Sequence, residues 1–252
     1  MRNFDDSTLW KISEFQRMRA ETGNSGFARL AATTSLSMSL SAELTGLDRG
    51  SNAGDVLGIV AACVRQRESA LILLRHNDLV WPLTLLPQQG LYHLARPIIE
   101  SLEAGNLDLK VVAVEPPGMR PPRYDELHRL AEQSNYRRLP PLLWALALNA
   151  PDVHLLADIG GHAAYRLAAD FIPEPNALAG ALGPALKRLR RQIASLDDIS
   201  AWPGMDRERA TRLLNGAYLL GGLMVLRTHA ASRHEHSRGQ RLREWLRAVR
   251  RP

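Results

Sequence analysis

The sequence contains little cysteine and little lysine. Cys63 is the only cysteine among 252 residues, which excludes a disulfide framework within one chain and any metal cluster held by several thiolates. It lies in an apolar stretch, so we expect a small buried side chain there. Three lysines accompany 29 arginines. Because GC-rich coding also produces such an excess, the arginine content alone is weak support for nucleic-acid binding.

Long apolar runs are also missing. The two longest uncharged runs, residues 79–95 and 213–226, are interrupted by proline or glycine, and neither reaches the roughly 20 apolar residues of a membrane span. The first residues include Asp5 and Asp6 and lack the basic-then-apolar order of a signal peptide. We therefore expect a cytoplasmic protein without a transmembrane segment.

Four common enzyme motifs are missing from the sequence. It has no P-loop, no Gly-x-Gly-x-x-Gly, no Gly-x-Ser-x-Gly and no His-Glu-x-x-His. The strongest metal candidate is the set His154, Asp158 and His162, whose i, i+4, i+8 spacing could place three ligands on one helical face. Gly160 and Gly161 within this span favour a helix end. A metal-dependent hydrolase is therefore a distant alternative, and we predict a non-catalytic protein with no cofactor and no metal.

Charge is distributed unevenly along the chain. The formal net charge is +6, but residues 187–252 hold 15 basic and 6 acidic side chains and so carry +9, whereas residues 1–186 carry −3. A slightly acidic body with a basic C-terminal quarter points to an anionic partner or surface.

The first part of the chain has the pattern of an α+β domain. Helices are predicted over residues 8–20, 55–67 and 95–104, and strands over 69–75, 79–86, 91–94 and 107–114. The segment 35–42 suits either a half-buried strand or a helix. Pro82 predicts an edge position or a bulge. Residues 1–115 are therefore expected to form a small, mostly antiparallel sheet with helices, which would sense a signal or form a homodimer.

The middle of the chain is predicted to be a linker followed by helices. Four prolines between residues 115 and 122 favour an extended path, so residues 116–124 are interpreted as a proline-rich linker. A helical connector is predicted over residues 125–175, with helices at 125–138, 141–149 and 154–169. The helix at 141–149 is apolar all round, which is typical of a buried helix.

The last quarter contains a helix-turn-helix pattern. A helix over residues 178–193 is followed by Ser195 as an N-cap, a brief helix over 196–201 and a turn that Met205 is expected to fill. Asp206 then caps a helix over residues 207–220, and a strand follows at 223–228. This order resembles the winged helix-turn-helix family. The residues that carry the resemblance are Leu196, Ile199, Gly204, Met205, Ala210, Leu213, Leu214, Ala217 and Leu223.

The resemblance implies a three-helix core with a β-wing over residues 176–231, and members of this family bind DNA, RNA or proteins. Together with the α+β domain before it, the layout is also similar to that of bacterial PATAN-type signalling proteins. This second similarity is one of architecture only, and it implies regulatory contacts with proteins.

A DNA-binding winged helix would place two sets of side chains on the duplex. Phosphates would meet the basic side of the first helix, which carries Lys187, Arg188, Arg190 and Arg191. Bases would meet the outward side of the third helix, predicted to carry Arg207, Thr211, Arg212 and Asn215, because Arg can pair with guanine and Asn with adenine. The alternative is a solvated helix face with a Glu208–Arg212 ion pair.

The C-terminal tail, residues 232–252, is a separate basic element. Leu242, Trp245, Leu246 and Val249 form a helical stripe. Arginines flank this stripe at Arg241, Arg243, Arg247, Arg250 and Arg251. Such a tail could bind an anionic membrane surface or an acidic partner, or dock its stripe on the body.

We therefore predict a bacterial regulatory protein whose winged helix binds DNA in transcription regulation. The alternative is a signalling scaffold in which the winged helix and the tail bind an acidic protein partner.

Overall fold

The computed structural model describes residues 10–22, 35–49, 55–94, 97–105, 108–117, 136–151, 153–173 and 180–228. The chain divides into an N-terminal unit, Met1–Asp152, and a C-terminal unit, Val153–Pro252. Both combine helices with antiparallel strands, which confirms the predicted α+β class. The predictions for the tail, for residues 118–124 of the linker and for most of the helix at 125–138 lie outside the described residues.

In the part of the chain that the structure describes, the N-terminal unit is built on a six-stranded sheet. Its strands are β1 (Trp10–Lys11), β2 (Ala70–His76), β3 (Leu79–Leu86), β4 (Leu91–His93), β5 (Lys110–Glu115) and β6 (Tyr136–Arg138). The order is β5-β2-β3-β4-β6, and β1 pairs with the free side of β3. The helices are α1 (Ile12–Thr22), α2 (Met38–Arg49), α3 (Val56–Gln66), α4 (Ile99–Glu103) and α5 (Leu139–Asn149).

The β2–β3 hairpin confirms the two predicted strands and turn, but β3 is a central strand. Pro82 pairs with Leu73 of β2. On the opposite side of β3, β1 pairs with residues 79 and 80, and β4 pairs with residues 84 to 86. Pro82 thus lies in the gap between these two ladders. No strand is paired with β3 at this point of that side, so the sheet does not need a backbone N–H from residue 82. The predicted edge position is therefore wrong, and the gap explains why proline is tolerated.

Local caps fix the helices that precede the hairpin. The ambiguous segment 35–42 is helical from Met38 onward, and the Ser37 hydroxyl accepts a hydrogen bond from the Leu40 amide at 3.2 Å. Leu40 is fully buried, so the helical leucine spacing decides the structure. Asp55 caps α3 as an acceptor for the amides of Leu57 and Gly58 at 3.0 and 3.1 Å. These contacts satisfy one unpaired amide in the first turn of α2 and two in that of α3.

Cys63 lies near the C-terminal end of α3 and is fully buried, as predicted. Burial raises the pKa of its thiol to about 12, and the nearby Glu68 carboxylate adds to the rise. The thiol is therefore neutral at physiological pH. We expect it to be unreactive towards alkylating reagents in the native protein.

Two predicted elements of the connector belong to the N-terminal unit. The last three residues of the helix predicted at 125–138 form β6, which pairs with β4. The buried helix predicted at 141–149 is present as α5 and follows β6 directly. A separate helical connector over residues 125–175 is therefore wrong. A three-residue strand is defined by its partner strand, which no local sequence pattern reveals.

A histidine at the β4–β6 ladder gives this unit a predicted pH dependence. The ring of His93 meets that of Tyr136 edge-on at 5.0 Å, and burial, aided by the charge of Arg137, lowers the pKa of His93. The unfolded chain therefore takes up the proton first, near pH 6.5. We expect the contribution of His93 to stability to be complete above that pH and to be lost as the pH falls below it.

The measurement is the urea midpoint of the wild type and of His93→Gln at pH 7.5 and pH 5.5. The wild type should lose more stability on acidification than the variant does. An equal loss in both proteins would show that His93 does not contribute.

Within its described residues, the C-terminal unit contains three helices and a three-stranded sheet. Its elements are β7 (Ala164–Leu167), α6 (Leu182–Arg191), β8 (Ala194–Ser195), α7 (Leu196–Ser200), α8 (Arg207–Leu219) and β9 (Leu223–Leu226). The sheet order is β8-β7-β9, and both pairings are antiparallel. The helices α6, α7 and α8 confirm the three that the sequence predicts; α6 is several residues shorter than predicted, and α7 and α8 each end one residue earlier.

The helix predicted at 154–169 is wrong. Residues 153–163 run through an extended segment and a turn, and β7 follows. A residue far along the sequence stabilises this turn. The Arg227 guanidinium donates to the carbonyls of Asp158 and Gly160 at 2.7 and 2.9 Å. The Tyr165 hydroxyl donates to the Ile159 carbonyl at 2.7 Å. Long-range hydrogen bonds therefore override the local helical pattern.

Candidate nucleic-acid interface

The outer side of α6 presents four exposed cations. The opposite side of the helix is apolar and buried, at Ala185, Leu186 and Leu189. The exposed side carries Lys187, Arg188, Arg190 and Arg191, as predicted; we call these four residues the α6 cationic face. Within the described residues, none of the four forms an ion pair with an acidic side chain. This face therefore has charge available for an anionic partner.

Two of the four cations are held in place by neighbouring groups. The guanidinium of Arg188 lies over the ring of Trp202, 4.7 Å from its centroid, which is a favourable cation–π arrangement. Arg190 donates to the carbonyl of Phe171. Neither contact neutralises the positive charge. Within the described residues, Lys187 and Arg191 have no contact of this kind, and they are the better positions for testing the face by mutation.

Capping residues fix where α7 and α8 begin. The Ser195 hydroxyl accepts from the Asp198 amide at 3.2 Å, and the Asp198 carboxylate accepts from the Ser195 amide at 3.0 Å. This reciprocal capping box starts α7. Asp206 caps α8 as an acceptor for the Arg209 amide at 2.7 Å. Both predicted N-caps are confirmed.

Trp202 fills the turn between α7 and α8. It is buried, whereas Met205, the residue predicted to fill this turn, is only half-buried. Gly204 has a φ of +74°, and a Cβ there would lie 2.8 Å from the Cβ of Ala181. The turn therefore requires glycine for both its backbone conformation and its close packing.

The arginines at the front of α8 are matched by carboxylates. Arg207 meets Asp197 at 2.6 Å. Arg212 meets Glu208 at 2.9 Å, which is the predicted i,i+4 pair. Arg209 lies 3.8 Å from Asp206 and also donates to the Gly204 carbonyl at 2.7 Å. The face predicted to read bases therefore has little net positive charge, in contrast to the α6 cationic face.

Two of the residues predicted to face bases are buried. Thr211 is 4% exposed and donates to the Arg207 carbonyl within its own helix. Asn215 is 2% exposed; its amide oxygen accepts from the Leu156 amide at 3.0 Å, and its amide nitrogen donates to the His154 carbonyl at 2.8 Å. The prediction of their outward orientation is wrong, and for Asn215 the reason is that the segment containing His154 and Leu156 lies against this side of α8.

The same segment excludes the helical metal site proposed from the sequence. His154, Asp158 and His162 do not share a helix, so their spacing does not align them on one face. Among the described residues, no group of three or more His, Cys, Asp or Glu side chains is arranged to hold a metal ion.

The small sheet adds a cation that sequence analysis missed. Arg166 of β7 is exposed and donates to the Arg190 carbonyl at 3.4 Å, which places it beside the C-terminal end of α6. Met224 of β9 pairs with Arg166 and is 49% exposed. Since residue 166 was assigned to a helix, no sequence signal placed it near α6. Within the described residues, β9 pairs with β7 and the expected wing hairpin is not seen.

Comparison of the chain with protein-family models, with curated proteins and with solved structures finds no match in any of the three. None of the helices in the described ranges is long and apolar enough to cross a membrane.

Proposed function

We propose that this protein is a non-catalytic regulatory protein whose C-terminal unit binds double-stranded DNA. The observation that carries the proposal is the α6 cationic face, which presents four exposed cations in less than two helical turns without acidic partners among the described residues. Contacts of Lys and Arg with phosphates supply most of the affinity of proteins for DNA. The trihelical arrangement of α6, α7 and α8 supports a helix-turn-helix type of unit.

Within this proposal, the side chains divide into phosphate contacts and supporting contacts. Lys187 and Arg191 would meet phosphates directly, and Arg166 would extend the same surface. Arg188 and Arg190 would do so from positions fixed by Trp202 and by the Phe171 carbonyl. Thr211 and Asn215 have structural roles in the unit and no contact with DNA.

A signalling scaffold that binds a protein partner is the second candidate. It is favoured by two exposed apolar side chains beside the cationic surface, Ile172 at 85% and Met224 at 49% exposure. Arg190 contacts the residue before Ile172, and Arg166 pairs with Met224. An acidic partner with apolar side chains would suit such a mixed surface.

Fluorescence anisotropy with a labelled DNA duplex at low salt separates the two candidates. We expect the wild type to bind and Lys187→Ala/Arg191→Ala to bind at least tenfold more weakly, because two phosphate contacts are removed. The matched control is Lys11→Ala/Lys110→Ala, which removes two exposed lysines from the N-terminal unit and should bind like the wild type.

The absence of duplex binding at low salt would reject the DNA proposal and leave the protein scaffold. Equal weakening by both double variants would show that net charge, and not the α6 cationic face, determines the affinity.

A further inference from the structure

We infer that the C-terminal unit binds double-stranded DNA through its phosphates with little selectivity for base sequence, and that Asp197 and Glu208 restrain Arg207 and Arg212 of α8 from contacting the duplex. This inference rests on the proposed function and concerns the kind of DNA site that the protein recognises. It depends on two structural observations, namely the charge pairing at the front of α8 and the burial of the polar side chains behind it.

The first observation is the local charge balance of the two faces. The region from α7 through the first two turns of α8 holds three arginines, at Arg207, Arg209 and Arg212. It also holds four carboxylates, at Asp197, Asp198, Asp206 and Glu208. The α6 cationic face holds four cations and no acid. A polyanion is therefore attracted to α6, whereas the front of α8 adds little electrostatic attraction.

The second observation is that α8 has few side chains able to read bases. Direct reading of base edges requires donors and acceptors that are free to enter the major groove. Thr211 and Asn215 are buried and bonded to backbone groups. Arg207 and Arg212 would have to exchange Asp197 and Glu208 for guanine, and the released carboxylates would then face phosphates. Base reading by this helix is consequently opposed on electrostatic grounds.

The test uses the full chain and a panel of labelled duplexes of equal length that are AT-rich, GC-rich or mixed. We expect dissociation constants that agree within about threefold across the panel, whereas sequence-specific proteins prefer their sites by roughly a thousandfold or more. The double variant Asp197→Asn/Glu208→Gln should bind every duplex about tenfold more tightly at low salt and show a steeper salt dependence. The charge-matched control, Glu14→Gln/Glu100→Gln, changes exposed acids of the N-terminal unit and should bind like the wild type.

The outcomes separate this inference from the proposed function. If one duplex is preferred by a hundredfold or more, the inference is overturned while DNA binding stands. If Asp197→Asn/Glu208→Gln changes binding no more than its control does, the restraining role of these carboxylates is overturned. If no duplex binds at low salt, the proposed function fails and this inference fails with it. Circular dichroism spectra of the variants that match that of the wild type exclude a loss of folding as the cause.

Discussion

Replacing Asn215 by leucine should destabilise the C-terminal unit by about 3 kcal/mol. The Asn215 side chain bonds the Leu156 amide and the His154 carbonyl, and leucine can replace neither bond. The buried Leu156 amide would lose its Asn215 acceptor and the half-buried His154 carbonyl would lose its Asn215 donor, and a lost bond of this kind costs about 1–3 kcal/mol. Urea denaturation gives the change in the free energy of unfolding. Hydrogen exchange of the α8 amides shows whether the loss falls on this unit.

The control for this substitution is Arg207→Ala on the same helix. Arg207 forms an exposed ion pair with Asp197, and such pairs contribute about 1 kcal/mol or less. If Asn215→Leu is no more destabilising than Arg207→Ala, the two hydrogen bonds of Asn215 do not hold residues 153–159 against α8. That result would favour the outward orientation of the Asn215 side chain that the sequence predicts.

Gly222→Ala should destabilise the same unit by about 2–3 kcal/mol. A Cβ on Gly222 would overlap the ring carbons of Phe171, which is buried, and overpacking of this kind costs about 1–3 kcal/mol. The backbone leaves little freedom for adjustment, because the Gly222 carbonyl accepts from the Ala168 amide at 2.9 Å and its amide donates to the Ala217 carbonyl at 2.9 Å. The measurement is again the free energy of unfolding in urea.

A double-mutant cycle with Phe171→Ala identifies the cause. Removing the ring makes room for the methyl group, so Gly222→Ala should cost much less in the Phe171→Ala background than in the wild type. The neighbouring Gly221→Ala provides a contrast. Gly221 has a φ of +72° and open space around its Cβ position, so its cost of about 1–2 kcal/mol arises from the backbone and should be the same in both backgrounds. If Gly222→Ala lowers the free energy of unfolding by as much in the Phe171→Ala background as in the wild type, the packing explanation is contradicted.

Elements whose signals are local were predictable from the sequence. Asp55, Ser195 and Asp206 cap helices through bonds to amides two or three residues away, and these residue types at helix starts indicate the cap by themselves. The β2–β3 hairpin follows from two apolar strands around a polar turn. The exposed cations of α6 follow from its amphipathic pattern, since its apolar stripe fixes which side faces solvent.

Elements that depend on distant partners were not predictable. β6 is a strand because β4 lies beside it, and β7 is a strand between β8 and β9, although its sequence suits a helix. The candidate site was affected in the same way. A helical wheel places Asn215 outside the apolar stripe of α8, but it cannot show that residues 153–159 cover that position. The partners of Arg207 and Arg166 lie 10 and 24 residues away in the chain, beyond the reach of a helical pattern.

The salt dependence of duplex binding tests the central claim, that the α6 cationic face contacts DNA phosphates, most directly. Each phosphate contact changes the slope of log Kd against log salt by about 0.9. We predict that the slope of Lys187→Ala/Arg191→Ala is smaller than that of the wild type by about 1.8, which corresponds to the loss of two phosphate contacts. Lys11→Ala/Lys110→Ala should keep the wild-type slope. A slope in Lys187→Ala/Arg191→Ala equal to that of the wild type would contradict the account, because DNA would then be bound without this face.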